Sequence, residues 1–129
     1  MSNDFSLESI GQIHIGVTDI KRAVAFYRDV LGMKLLFEVA EQQMAFLDCG
    51  GVRLYLSADQ LEDFPSNPLI YYRVSDINQA FEAISGAGVE FEREPHIVHR
   101  TPDYDLWMAG FRDPEGNFIH LMNEAPPSG

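Results

Sequence analysis

The chain has little of what would place it outside the cell, in a membrane or on a nucleic acid. Cys49 is the one cysteine among 129 residues, so an internal disulfide cannot form and a reducing cytoplasm is the predicted location. No apolar run approaches the roughly 20 residues that span a bilayer, and the polar, acidic start does not resemble a signal peptide. With 9 Lys and Arg against 20 Asp and Glu, the net charge of −11 repels phosphate backbones and argues against nucleic acid as a partner.

The length and the composition, 46% apolar and 22% charged, are those of an ordinary globular domain. The sequence of this domain contains an internal repeat. Residues 13–20 read Ile-His-Ile-Gly-Val-Thr-Asp-Ile, and residues 70–77 read Ile-Tyr-Tyr-Arg-Val-Ser-Asp-Ile. The matching valines stand at 17 and 74, an offset of 57 residues. Residues 48–56 and 113–121 close the two halves in a similar way. A fixed period of this kind defines the building unit of a fold.

Hydrophobic periodicity predicts the order β-α-β-β-β in each unit. In the first unit Asp19 caps the helix and Gly32 ends it, with strands at 10–17, 34–39, 43–49 and 52–57. In the second unit Ser75 or Asp76 caps the helix, with strands at 69–74, 89–94, 106–112 and 117–123. We therefore expect a single domain over 1–129, with module one at about 9–58 and module two at about 69–123.

Three further stretches are predicted to lie outside the strands and helices. Residues 57–68 contain two prolines and three acids and indicate a linker between the modules. Residues 95–105 make the second module longer than the first, and we interpret them as an irregular inserted loop of the kind that forms lids and binding sites. Residues 124–129 are predicted to be a disordered tail.

Strand alternation predicts which side chains share a face, because adjacent residues on a strand point to opposite sides. The apolar residues facing the helices leave four repeat-equivalent residues on the other side of the sheets. The same side collects two arginines in an otherwise acidic chain, together with two apolar residues of the last strand. The four equivalent residues are His14, Tyr55, Tyr71 and His120, and the others are Arg53, Arg73, Phe118 and Met122.

The duplicated module, its two helix entries and the sequences at 26–32 and 111–117 resemble the vicinal oxygen chelate superfamily. That superfamily contains glyoxalase I, fosfomycin-resistance thiol transferases, methylmalonyl-CoA epimerase, extradiol dioxygenases and bleomycin-resistance proteins. The resemblance covers about residues 9–123. It implies an α+β fold of two tandem βαβββ modules, whose curved mixed sheets enclose a small-molecule cavity. It also implies a homodimer, since the facing cups of many small members come from two chains.

The resemblance also implies where a metal ion would lie. In metal-dependent members the equivalents of His14 and Tyr71 are usually His or Gln, and those of Tyr55 and His120 are usually Glu or Gln. This chain has no carboxylate at any of the four positions, which disfavours glyoxalase I chemistry and thiol transfer to fosfomycin. His14 and His120 are the candidate ligands of one divalent ion, either Fe, Ni, Co, Zn or Mn. A metal-free His–Tyr cluster is the alternative.

Two functions follow from these residues and stay open at this point. One is a divalent-metal-assisted lyase, isomerase or dioxygenase acting on a small oxygenated or aromatic acid. In it Tyr55 or Tyr71 would take part in proton transfer, and Arg53 and Arg73 would orient an anion. The other is a metal-free protein that binds or sequesters a flat small molecule, as bleomycin-resistance proteins do.

The inserted residues add two candidate ligand contacts to either function. Arg100 could contact an anion, and Trp107 could stack on an aromatic ligand or serve as a core anchor. His96 and His99 are interpreted as solvated surface, and Cys49 as a small buried apolar residue.

Overall fold

The computed structural model describes residues 5, 7–58 and 68–128 and contains two four-stranded sheets, one per module. In the first module a short α-helix continues into a single π-helical turn at Phe26–Val30. A 3₁₀ turn at Ala40–Gln42 joins the second and third strands. The elements of this module are β1 (Gln12–Gly16), α1 (Ile20–Ala25), β2 (Lys34–Val39), β3 (Met44–Cys49) and β4 (Val52–Ser57).

The second module repeats this order with longer strands. Its elements are β5 (Ile70–Arg73), α2 (Ile77–Gly86), β6 (Phe91–Arg100), β7 (Asp105–Arg112) and β8 (Phe118–Ala125). The strand orders are β1-β4-β3-β2 and β5-β8-β7-β6. In each sheet the first and last strands of the module pair in parallel and the other neighbours are antiparallel. The predicted α+β fold of two βαβββ modules with mixed sheets is confirmed.

Local sequence explains where the helices and the first hairpin begin and end. Asp19 caps α1 by accepting from the backbone N–H of Arg22, and Asp76 caps α2 in the same way. Gly50 and Gly51 form the β3–β4 turn with φ of 61° and 95°, the pair of positive values that a two-residue hairpin turn requires. No helix in the described part of the chain is long and apolar enough to cross a membrane.

Two predicted irregular stretches are in fact ordered. Residues 95–100, predicted as part of a loop, continue β6 to Arg100 and pair with β7 through several register shifts. The predicted disordered tail is wrong for its first residues, because β8 runs to Ala125. Ser128 then donates from its backbone N–H and hydroxyl to the buried carboxylate of Asp105. Most of the predicted linker at 57–68 lies outside the described residues.

The core lies between the helices and one face of each sheet, and a turn of the second module joins it to the first. Buried apolar residues of α1, β1, β3 and β4 pack with those of α2, β7 and β8. The turn between β7 and β8 docks on the start of α1, where Glu115 accepts from Thr18 and Asp19 backbone N–H groups at 2.8 and 3.1 Å. Its carboxylate also pairs with Arg22 at 2.8 Å and its side chain is 7% exposed. We call this junction the module seam.

The charge of Glu115 is expected to stabilise the seam, and the effect should depend on pH. Burial raises the pKa of Glu115, but hydrogen bonds from Arg22, Thr18 and Asp19 outweigh it and leave that pKa below its ordinary value. A depressed folded pKa gives stability that is complete above the unfolded value of about 4.3 and is lost as pH falls through the folded value.

Glu115→Gln should therefore lower the free energy of unfolding by about 2 kcal/mol at pH 7, and by less near pH 3. Urea denaturation at both pH values measures the difference. The matched control is Glu92→Gln, which breaks an ion pair with Arg112 whose two side chains are half exposed and should cost less than about 1 kcal/mol. Equal losses at pH 7 in the two variants would show that the seam charge has no special role.

Candidate functional site

The helix-free face of the first sheet carries four rings in one line across all four strands. Phe37, Phe46, Tyr55 and His14 are direct register partners on β2, β3, β4 and β1. Their successive ring centroids are 4.5, 4.7 and 5.0 Å apart, and Phe46 and Tyr55 are nearly parallel at 5°. Tyr55 and His14, which were predicted to share this face, are thus part of a continuous aromatic row.

The second sheet has a shorter aromatic row, because a glycine of β7 stands where the first sheet has an aromatic residue. Tyr71 stacks on its register partner His120 at 4.4 Å and 16°, and Phe118 packs against the same imidazole at 4.6 Å. The β7 residue that pairs with His120 is Gly110, whereas the first sheet has Phe46 in the corresponding place. The ring of Phe118 lies over Gly110 so closely that a Cβ there would overlap it.

Gly110 should therefore be needed for the position of Phe118. Gly110→Ala is expected to displace that ring and lower the free energy of unfolding by about 1–3 kcal/mol, as overpacking does. Phe118→Ala in the same background should recover part of the loss, so the two changes should be non-additive in urea denaturation. Gly86→Ala, whose added Cβ meets nothing within 4 Å, is the control and should not destabilise.

A cavity of about 500 Å³ lies on this face of the second sheet. Tyr71, Phe118 and His120 line it together with Arg93 and several other residues of β6 and β7. The further lining residues are Glu92, His96, Val98, Met108 and Ala109. This face of the second module therefore combines stacked rings with polar groups.

The charges at this cavity favour an anion, although the whole chain is acidic. Glu92 forms an ion pair with Arg112 at 2.7 Å. The Arg112 guanidinium also lies 5.3 Å from the centre of the Phe118 ring. The Arg93 guanidinium forms no ion pair or hydrogen bond with any other described residue. One uncompensated guanidinium thus lies beside the stacked rings.

Both candidate metal-binding histidines are biased toward the neutral form. Burial lowers the pKa of His14, and burial together with the positive charge of Arg93 lowers the pKa of His120. The Nε2 atom of His14 is buried and has no hydrogen-bond partner among the described residues. A neutral imidazole can accept a hydrogen bond or bind a metal ion through such a nitrogen.

The donor set nevertheless does not fit the divalent ion that the resemblance implies. No three His, Cys, Asp or Glu side chains of the described residues are grouped as metal ligands. His14 and His120 lie on different sheets, and the ring beside each of them is a phenol rather than a carboxylate. Catalytic zinc sites use three protein ligands. Among the described residues, the unpaired Nε2 of His14 is the feature that favours a metal.

The structure separates the remaining predicted site residues. Arg53 lies in the next row of the first sheet, beside Gln12 and Asp48, and Arg73 pairs with Glu124 at 2.6 Å. Arg100 donates to the Ser128 carbonyl at 3.3 Å. Trp107 is partly buried and packs against the core, in keeping with its interpretation as an anchor. Met122 lies between Arg73 and Met108 in register.

Sequence reasoning missed two residues that line the cavity, His96 and Arg93, and Gly110, which the Phe118 ring covers. His96 was assigned to a solvated loop because β6 was predicted to end before it. Arg93 follows Phe91 by two residues, so alternation alone would place it on the helix-packed face. The register shift between Phe91 and Arg93 instead sets Arg93 opposite Gly110, in the row of His120. Gly110 interrupts a strand, which often marks a close approach of another group.

Comparison with known proteins agrees with the fold and places the chain in a family. A metallothiol transferase, FosB of Staphylococcus saprophyticus, is 32% identical over 124 residues, 89% of this chain and 76% of that protein. An uncharacterized protein, YraH of Bacillus subtilis, is 27% identical over 123 residues, 85% of this chain and 94% of that protein.

Solved structures of low sequence identity share the same architecture. A lactoylglutathione lyase from Agrobacterium tumefaciens superimposes with a TM-score of 0.73 at 22% identity, over 91% of this chain and 94% of that one. A virulence protein from Salmonella typhimurium gives 0.75 at 22% identity, over 94% and 100%. The family model that matches residues 9–121 describes the Glyoxalase/Bleomycin resistance protein/Dioxygenase superfamily. Since that match covers most of the chain, the protein belongs to this superfamily.

Proposed function

We propose that this protein binds a small planar aromatic acid on the helix-free face of its second sheet, without a metal ion. The observation that carries the proposal is the arrangement at the 500 Å³ cavity, where stacked rings stand beside an arginine whose guanidinium has no partner among the described residues. The rings of Tyr71 and Phe118 would stack on the ligand, and Arg93 would bind its carboxylate.

The energies of stacking and of charge-assisted hydrogen bonding favour a ligand that has both an aromatic ring and a carboxylate. An aromatic stacking pair contributes about 0.5–1.5 kcal/mol beyond the burial of its area. A hydrogen bond to a charged group contributes about 1.5–3 kcal/mol, and a guanidinium can form two such bonds with one carboxylate. A volume of about 500 Å³ lies within the range of small-molecule sites. An aromatic acid of one or two rings uses both the rings and the charge.

The residues of this site suit binding better than acid–base catalysis. General acid–base chemistry needs a group whose pKa lies near the working pH, and no carboxylate stands at the four repeat-equivalent positions. His120 is held neutral at pH 7 by burial and by Arg93. It can donate a hydrogen bond to the ligand or accept one from it while its ring remains stacked on Tyr71 and packed against Phe118.

The proposal is tested by comparing 2-naphthoate with its neutral isostere 2-naphthamide in isothermal titration calorimetry. We expect naphthoate to bind at least about 10-fold more tightly, with the difference shrinking at high salt. Tyr71→Ala should weaken both probes, and Tyr55→Ala, on the first sheet, is the control. Equal affinity for the two probes would refute an anion site, and an unchanged affinity in Tyr71→Ala would refute this location.

A metal-assisted enzyme is the second candidate, and the buried, unpaired Nε2 of His14 favours it. Relatives are named as a metallothiol transferase and, over 42 residues at 45% identity, a catechol-2,3-dioxygenase. Elemental analysis by inductively coupled plasma mass spectrometry, after reconstitution with Fe(II), Ni(II), Co(II) or Zn(II), separates the candidates. We expect substoichiometric metal that is unchanged in His14→Ala. One ion per chain that is lost in this variant would instead establish the metal-assisted reading.

The predicted homodimer belongs to the same proposal. Phe37 is 48% exposed and Tyr71 is 45% exposed, both on helix-free faces, and a second chain facing these surfaces would cover them. Sedimentation velocity should then show a dimer, which Phe37→Glu should weaken. A monomer at all concentrations would mean that one chain binds the ligand alone. The cytoplasmic location stays a prediction that rests on the single free cysteine.

A further inference from the structure

A second cavity, of about 380 Å³, lies at the module seam, away from the helix-free faces. Its walls come from the end of the first helical segment and the β3–β4 turn on one side, and from α2 and the helix-packed face of β5 and β8 on the other. The walls are mostly apolar, with Leu31, Met33, Ala83, Ile84 and Leu121 among them. None of its lining residues takes part in the site proposed above.

The internal repeat explains why this half of the seam is open. The offset of 57 residues aligns Phe26 and Tyr27 with Ala83 and Ile84. Phe26 and Tyr27 are 8% and 1% exposed and fill their half of the seam. The Tyr27 hydroxyl donates to the Asp113 carboxylate at 2.8 Å. Alanine and isoleucine supply neither the volume nor the hydroxyl in the other half.

The open half retains the polar groups that a phenol would satisfy. Asp48, which matches Asp113 in the aligned ends of the two halves, lines this cavity. Tyr72 lines it as well, and the Tyr72 hydroxyl is buried without a hydrogen-bond partner among the described residues. Burial raises the pKa of Tyr72 and that of the neighbouring Cys49 thiol, so both groups keep their protons at neutral pH. A buried donor without a partner is costly.

We propose that the seam cavity binds a small neutral phenol or aromatic alcohol. Its ring would occupy the volume that Ala83 and Ile84 leave open, and its hydroxyl would donate to Asp48 and accept from Tyr72. Since a cavity of roughly 150 Å³ can hold benzene, the 380 Å³ here has room for a substituted ring. A charged ligand is disfavoured, because the walls are mostly apolar and would not repay its desolvation. Arg73, which also lines the cavity, is already paired with Glu124.

The reactivity of Cys49 reports on this cavity directly, because Cys49 lines it and is the one cysteine in the chain. The rate of its modification by a small disulfide reagent is measured with increasing phenol or with toluene, which has the same ring without the hydroxyl. We expect phenol to slow the reaction, and toluene to need at least about 5-fold higher concentration for the same protection. No effect of phenol on the rate would overturn the proposal.

Two variants and one matched control test the mechanism. Tyr72→Phe should raise the phenol concentration for half-protection about 5-fold and leave that for toluene unchanged, whereas Ala83→Phe should fill the space and abolish protection. Tyr104→Phe, the same change at a residue that lines neither cavity, should match the wild type. If phenol still protects Cys49 equally well in both variants, the phenol binds elsewhere. If Ala83→Phe does not fold, the result for Tyr72→Phe decides between the two outcomes.

This inference stands apart from the aromatic-acid site. Naphthoate bound on the helix-free face should leave the Cys49 rate unchanged, since the two cavities share no lining residue. Failure of the naphthoate experiment would therefore leave phenol protection intact, and the converse holds as well.

Discussion

Asp113→Ala is expected to lower the free energy of unfolding by about 3–5 kcal/mol, the largest effect of any single change at the module seam. The Asp113 side chain accepts from the Tyr27 hydroxyl at 2.8 Å and from Asn117 through both its backbone and side-chain N–H groups. It also accepts from the Glu115 backbone N–H at 2.9 Å. Asp113 is 5% exposed, so water cannot replace these bonds without rearranging the turn.

Most of the loss should come from the donors that Asp113 leaves behind. The Tyr27 hydroxyl is buried in the seam, and the β7–β8 turn would lose the acceptor that organises its backbone. Tyr27→Phe removes one of these donors together with its bond, and should cost about 1.5–3 kcal/mol. The pKa of Tyr27 is raised by burial and by the Asp113 carboxylate, so its hydroxyl remains a donor throughout the neutral range.

Urea denaturation of the two single variants and the double variant measures the coupling. We expect the double variant to be less unstable than the sum of the singles, because both remove the same hydrogen bond. Asp103→Ala is the matched control, since Asp103 is exposed between β6 and β7 and should change stability by less than about 0.5 kcal/mol. A loss below about 1 kcal/mol in Asp113→Ala would mean that the turn is not what joins the modules.

Arg93→Met should weaken 2-naphthoate binding about 10- to 100-fold and leave 2-naphthamide binding almost unchanged. Methionine retains the apolar length of the side chain but removes the guanidinium, so the change isolates the charge. A charge-assisted pair contributes about 1.5–3 kcal/mol, and every 1.4 kcal/mol corresponds to a factor of ten in affinity. Titration calorimetry of both probes gives the two ratios.

The control for this substitution is Arg53→Met. Arg53 is an exposed arginine on the first sheet and does not line the cavity, so its removal alters the net charge equally without touching the proposed site. It should change naphthoate affinity by less than about 2-fold. Similar losses in both variants would indicate long-range attraction by net charge, and similar losses of both probes in Arg93→Met would indicate packing rather than charge recognition.

The internal repeat made most of the fold predictable. Both helix caps and both long antiparallel hairpins lie where periodicity and turn residues predicted them. Strand β6 was the exception, because its later residues begin with a proline and include two histidines and an arginine, which favoured a loop. Pairing with β7 overrides that local preference in the folded chain. The same long-range pairing brings His96 to the cavity.

The aromatic rows were partly predictable from the residues alone. Alternation predicted that His14 and Tyr55 share a face, and likewise Tyr71 and His120, since parity is a property of each strand. It could not predict that Phe46 and Phe37 extend the first row, because that depends on the register between strands. It also did not predict that Arg73 would be paired with Glu124 while the Arg93 guanidinium has no partner among the described residues.

By itself the sequence determined the two-module architecture, the helix positions, the face of each strand and the absence of a carboxylate at the four equivalent positions. These are local properties, which follow from hydrophobic periodicity, capping residues and residue identity. Only the tertiary structure decided which charges are compensated, which side chains line the cavities, and that half of the seam is empty. Those properties depend on distances between residues that are far apart in the chain. Strand register and packing set these distances, and the local sequence pattern does not encode them.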